Sequence, residues 1–175
     1  VGVGLADMFS HSMERYFSPS AELEPCDDLA LGILKSIVST SEKVISDPTD
    51  IMARRAMMID GALAHDGFTN FGKPKQFIVH KAEHRLSGHY PLLAHGQGIA
   101  LLLVPYLSIN KKVFEKKLIP FGKTVFSLEG NITIEDSINA LDKWIHTLPI
   151  YQSFDSLPFK IEENDIKKAL ETLEI

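Results

Sequence analysis

The sequence predicts an all-α domain. Apolar residues recur at helical rather than alternating spacing along most of the chain. No hairpin turn flanked by strand patterns occurs, and about seven to eight helical patterns follow one another with short connections. The 175 residues form one domain with room for a sizeable core. Apolar and charged fractions of 45% and 23% are those of a globular protein. Net charge is −5 and the basic residues are dispersed, which argues against a nucleic-acid partner. The longest apolar run, 99–107, is far short of the ~20 residues a membrane span needs, and no signal peptide is visible at the amino end. The single cysteine, Cys26, excludes an internal disulfide and fits a reducing, cytoplasmic compartment. It is expected as a small buried residue near a helix start.

Residues 4–17 read as the first helix, ended by Ser18-Pro19-Ser20. The leading V-G-V-G lacks a full G-x-G-x-x-G and follows no strand, so it has no cofactor role. Asp7 and His11 are spaced i, i+4 and share one face of this helix. Asp27 and Asp28 open a second helix at its positive end. Its apolar positions Ala30, Ile33, Leu34, Ile37, Val38, Val44 and Ile45 keep the helical period. Asp47-Pro48-Thr49-Asp50 is a stop followed by a start. A third helix over 50–65 is expected to turn Ile51, Met58, Ile59 and Leu63 inward, with Met52, Met57 and Met58 as core filler. Asp66-Gly67 ends it. The polar loop 67–74 either borders a ligand cleft or is a plain connector.

Four of the seven histidines fall within residues 79–98: His80, His84, His89 and His95. His80 and His84 stand one helical turn apart, about 6 Å along the axis. Gly88 and Pro91 break that helix. His95 starts the next, a buried helix near 98–106. An amphipathic helix follows from about Asn110, with Val113, Phe114, Leu118 and Phe121 on one side and Pro120 as a kink or split. Gly130-Asn131 is a turn. Thr133 and Asp136 form a capping box with Asp in place of Glu. The helix they open carries Ile134, Ile138, Leu141, Ile145 and Leu148 as a stripe, with His146 off it. Residues 149–157 are a loop and 163–173 a final helix.

One carboxylate with two or three imidazoles suits Zn²⁺, Fe²⁺, Co²⁺ or Ni²⁺ rather than Ca²⁺ or Mg²⁺. Glu14 and Glu83 are candidates to orient such ligands from behind, and at least one of the two is expected to be a plain surface charge. Three readings stay open on the residues alone. His80-Lys81-Ala82-Glu83-His84 spells H-x-x-E-H, a zinc-peptidase motif with Glu83 as general base, but this leaves Asp7, His11 and His95 unused. A cage that includes those three uses every motif. A non-catalytic helical interaction module would give the histidines no common purpose.

Taken together, G-L-A-D-M-F-S-H-S-M-E-R-Y-F (4–17), V-H-K-A-E-H-R-L-S-G-H-Y (79–90) and A-H-G-Q-G-I-A-L (94–101) resemble the iron-containing (group III) alcohol dehydrogenase family, nearest its butanol dehydrogenase-like branch. The motifs occur in the family's order and at about its spacing. The resemblance implies a two-domain parent. Its Rossmann-like amino-terminal half binds NAD(P), and its all-helical, dehydroquinate synthase-like carboxy-terminal half binds a divalent metal. Residues 1–175 look like the second half. The implied ligands are Asp7, His11, His80 and His95, for Fe²⁺ first and Zn²⁺ as the alternative. His84 matches a catalytic histidine that serves proton transfer or substrate positioning. The implied reaction interconverts a small alcohol and its aldehyde or ketone by hydride transfer.

Two departures accompany the resemblance. The turn 90–94 between His84 and His95 is one residue longer than the family's. The G-G-G-S cofactor motif is absent with the βαβ half, so the isolated chain is expected to be inert. His65 and His89 match no motif position. His65 is expected as a helix-end imidazole favoured by the dipole, and His89 as a group facing water. A homodimer is compatible with the sequence, and an apolar face is expected where a partner domain would sit.

Overall fold

The computed structural model describes residues 1–18, 24–74 and 77–175. Among them are eight α-helices and two short 3-10 turns, with no strand. The predicted all-α class holds. The helices are α1 (Gly2–Tyr16), α2 (Glu24–Ser46), α3 (Ile51–His65), α4 (Ile78–His89), α5 (His95–Ile109), α6 (Glu115–Val125), α7 (Ile134–Thr147) and α8 (Glu163–Thr172). The predicted stop at Pro19-Ser20 lies outside the described residues.

Helix α1 runs through the centre and packs against α2, α3 and α5, while α4 packs on α5 and α8. Its apolar side, with Leu5, Phe9 and Met13 fully buried, explains that position. Below it lies an aromatic cluster. Phe9 stacks tilted on Trp144 at 4.3 Å and meets Phe121 edge-on at 6.3 Å, and the Trp144 indole donates to Ser41 Oγ at 2.9 Å. Such ring pairs add to their area burial. The cluster anchors α2, α6 and α7 beneath α1 and leaves the polar side of α1 facing α3, α4 and α5.

Several boundaries follow sequence chemistry. The Asp50 carboxylate accepts from the backbone N–H groups of Met52 and Ala53, capping α3. Thr133 and Asp136 form the predicted capping box of α7. Pro120 lies inside a continuous α6 and does not split it, and Pro105 sits inside α5.

Other expectations are corrected. Helix α3 turns the opposite way: Ile51, Met52, Met58, Ile59 and Leu63 are exposed, and its inward face is Ala53, Asp60 and Ala64. Small residues let α3 approach α1 closely, and this decides the facing over hydrophobicity alone. Val113 is exposed and precedes α6 rather than lining it. Cys26 is half-buried, its Sγ 3.5 Å from the Phe71 carbonyl, and lies inside α2, which starts earlier than Asp27.

Candidate metal centre

Three helices meet at one corner. Asp7 and His11 project from α1, His80 from α4 and His95 from the first position of α5. Asp7 Oδ1 is the focus. The Nε2 atoms of His95, His80 and His11 approach it to 3.4, 3.5 and 3.7 Å. His80 Nε2 and His11 Nε2 are 3.3 Å apart. These separations are long for strong hydrogen bonds. Asp7 Oδ1 is buried and has no hydrogen-bond partner among the described residues. A buried carboxylate oxygen left so is costly unless something positive completes it.

The rings are held from behind. His80 Nδ1 donates to Glu14 Oε2, and the other oxygen of Glu14 accepts the Val79 N–H at 2.6 Å. His95 Nδ1 donates to Glu83 Oε2. Glu14 and Glu83 are 1% and 0% exposed, so neither is a surface charge, against the sequence expectation. When each ring is neutral, its carboxylate partner fixes the tautomer that leaves Nε2 unprotonated and turned toward Asp7. This arrangement orients histidine ligands and raises their basicity in metal sites.

The A-H-G-Q-G motif has a steric meaning. A Cβ on Gly96 would lie 2.0 Å from the Val3 carbonyl oxygen. Only glycine lets the start of α5 press on the start of α1, and this brings His95 over Asp7. Gln97 secures the same end by donating to the Tyr151 carbonyl at 2.8 Å and accepting the Tyr151 N–H at 2.9 Å. The longer turn at 90–94 thus still delivers His95.

The electrostatics follow from burial and proximity. Burial alone would raise the Asp7 carboxyl, but its contact with His80 and the charges of His11 and His95 hold it below the usual carboxylate range. Burial, reinforced by the neighbouring His80 and His65, pushes His11 down to about 3. Burial also opposes charge on His80, but the carboxylates of Asp7 and Glu14 beside it outweigh burial and lift the group to about 9. Without a cation, His80 therefore holds a proton that ligation would displace.

His84 lies beside this convergence rather than in it. It is exposed, with its ring 5.1 Å from that of His95 and 6.2 Å from that of His80. His89 is exposed and bonds the Arg85 carbonyl of its own helix, as expected, and His146 is exposed too. His65 was missed. Its ring is 4.0 Å from that of His11, and its Nε2 is 3.6 Å from Asp7 Oδ2. No local pattern signals this, because the approach depends on how α3 packs on α1.

Fold and site together define an all-helical domain with one carboxylate and several imidazoles gathered at a three-helix corner. The chain belongs to the Fe-containing alcohol dehydrogenase family, whose C-terminal sequence model matches residues 3–172. It is 31% identical over 129 residues to NADH-dependent butanol dehydrogenase B of Clostridium acetobutylicum, an alignment covering 72% of this chain and 32% of that protein. It is 30% identical over 146 residues to NADP-dependent alcohol dehydrogenase 3 of Entamoeba histolytica, covering 83% of this chain and 37% of that protein. The structure of NADH-dependent butanol dehydrogenase A from Thermotoga maritima superposes with a TM-score of 0.84 at 27% identity, over 98% of this chain and 43% of that one. The chain thus spans between 32% and 42% of the length of the first curated relatives it matches. No helix among the described residues is long and apolar enough to cross a membrane.

Proposed function

We propose that this chain is the metal-holding domain of an NAD(P)-dependent dehydrogenase that interconverts small alcohols with their aldehydes or ketones. The observation that carries the proposal is the convergence of three imidazole Nε2 atoms on the buried Asp7 Oδ1, two of them backed by buried glutamates. Asp7, His11, His80 and His95 would hold the cation. One carboxylate and three imidazoles suit Fe²⁺ or Zn²⁺, and the family's name favours iron. A cation held there would supply Lewis-acid polarisation of a substrate oxygen.

The chain's own residues do the rest. Glu14 and Glu83 keep His80 and His95 in the ligating tautomer. The exposed imidazole of His84, 5.1 Å from the His95 ring, would exchange a proton between the substrate hydroxyl and water. The nicotinamide cofactor is assigned to sequence outside the chain. The relatives named as NADH- or NADPH-dependent support a nicotinamide cofactor for the whole protein.

The peptidase reading fits poorly. It needs His80 and His84 on one zinc with Glu83 free as base, whereas Glu83 is fully buried and engaged by His95. Metal analysis of the purified chain separates the readings. In the dehydrogenase reading Asp7→Ala and His80→Ala both lose the cation and His84→Ala keeps it. Loss in His80→Ala and His84→Ala with retention in Asp7→Ala would favour the peptidase. No stoichiometric cation in the parent chain would favour the interaction module.

A further inference from the structure

His65 has no role in the reading above, yet the fold places it with care. Helix α3 is drawn onto α1 at Gly61, where a Cβ would lie 2.8 Å from Met8 Sδ. The buried Arg15 then grips the end of α3. Its Nη1 donates to the Ala64 carbonyl, and its Nη2 donates to the His65 carbonyl at 3.4 Å. So α1, which bears Asp7 and His11, also fixes the backbone that bears His65.

The ring orientation is set as firmly. His65 Nδ1 lies 2.7 Å from the Gly61 carbonyl oxygen. A carbonyl only accepts, so Nδ1 carries a hydrogen, which leaves Nε2 as the ring atom free to ligate. Nε2 faces Asp7 Oδ2 at 3.6 Å. An imidazole nitrogen and a carboxylate oxygen at this distance can share one cation between them. His80 and His95 follow the same design, Nδ1 anchored on an acceptor and Nε2 turned to Asp7. His11, in contrast, has a buried Nδ1 with no partner among the described residues.

We infer that His65 is a further ligand of the divalent cation, binding through Nε2 on the Asp7 Oδ2 side. This rests on the proposal that Asp7, His11, His80 and His95 hold that cation. Five protein donors would suit Fe²⁺ better than Zn²⁺, which is usually held by four ligands in a tetrahedron. With 44% of its side chain exposed, His65 forms the outer wall of the site.

Loading the chain with an NMR-active cadmium isotope tests this directly, because scalar coupling appears only across a metal–nitrogen bond. Coupling to Nε2 of His65 as well as to His11, His80 and His95 is expected. Coupling to those three with His65 unmoved on loading would overturn the inference and leave the cation site standing. Coupling to no histidine would overturn both. Chelator competition adds a second readout. His65→Ala should weaken cadmium binding by roughly tenfold or more, and His65→Gln should be equally weak. Glutamine keeps a donor for the Gly61 carbonyl, so restored affinity in His65→Gln would assign His65 to holding the helix end only.

Discussion

Replacing Glu14 with glutamine changes one group in a fully packed place and should disable His80 as a ligand without disturbing the fold. The Glu14 carboxylate is 1% exposed and accepts two hydrogen bonds, from the Val79 N–H at 2.6 Å and from His80 Nδ1. Glutamine has one acceptor oxygen. It must stay on the Val79 N–H, since the reverse orientation sets two donors face to face. The amide NH₂ then points at His80 Nδ1, which has to accept. The ring proton moves to Nε2, the atom turned toward Asp7, and that atom no longer ligates. Losing a partner of this kind costs about 10–100-fold in metal affinity, or about 1.4–2.7 kcal/mol. Fold stability should drop by only about 1 kcal/mol, the difference between charged and neutral hydrogen bonds. Chelator competition measures the affinity, ring-nitrogen chemical shifts report the His80 tautomer, and urea unfolding measures stability. Affinity within twofold of the parent, with the tautomer switched, would refute the claim that Glu14 acts by fixing that ring.

Two further outcomes follow from the same corner. Gly96→Ala sets a methyl 2.0 Å from the Val3 carbonyl oxygen. It should cost about 1–3 kcal/mol in urea unfolding and weaken cation binding as His95 retreats; parent-like values would mean that the start of α1 yields instead. The chelator-treated chain should be most stable near the ordinary histidine value of 6.5. Below it, His11 (about 3 when folded) lets the unfolded chain bind more protons, so stability falls with acid, and the lowered Asp7 adds to that limb at lower pH. Above it, His80 (about 9 when folded) makes the folded chain bind more, so stability falls with base until that value is passed. Each limb slopes by at most about 1.4 kcal/mol per pH unit, less where solvent screens the group. Urea unfolding across pH 4 to 9 (roughly the span of the two shifts) checks this, and a monotonic profile would contradict it.

The helices were legible because their cues are local: periodic apolar stripes in α2 and α7, the Asp50 cap, the Thr133–Asp136 box. Asp7, His11, His80 and His95 were legible through the resemblance their three motifs carry to the family, and the structure brings the four together. What the sequence hid depends on packing between distant segments. Helix α3 reads as if Ile51, Met58 and Ile59 should be buried, but Gly61 and Ala64 are small enough to set the contact with α1 on the other face. That reversal swings His65 onto His11. Glu14 and Glu83 read in the sequence as candidates to orient the ligands, but their full burial, set by the crossing of α1 with α4 and of α4 with α5, is not legible there. Cys26 reads as core because cysteines often are, yet its position in α2 leaves it half-exposed.

The donors of the site lie far apart along the chain; His11 and His80 are separated by 69 positions. An unfolded chain has no means of presenting them together, beyond the weak local pair Asp7 and His11. A cation therefore discriminates almost completely between folded and unfolded molecules, and its binding free energy enters the folding equilibrium nearly undiminished. At a free concentration one hundred times its dissociation constant, that amounts to about 2.7 kcal/mol. The melting temperature of this domain should thus be a titration curve for its own metal, read without any substrate or coenzyme.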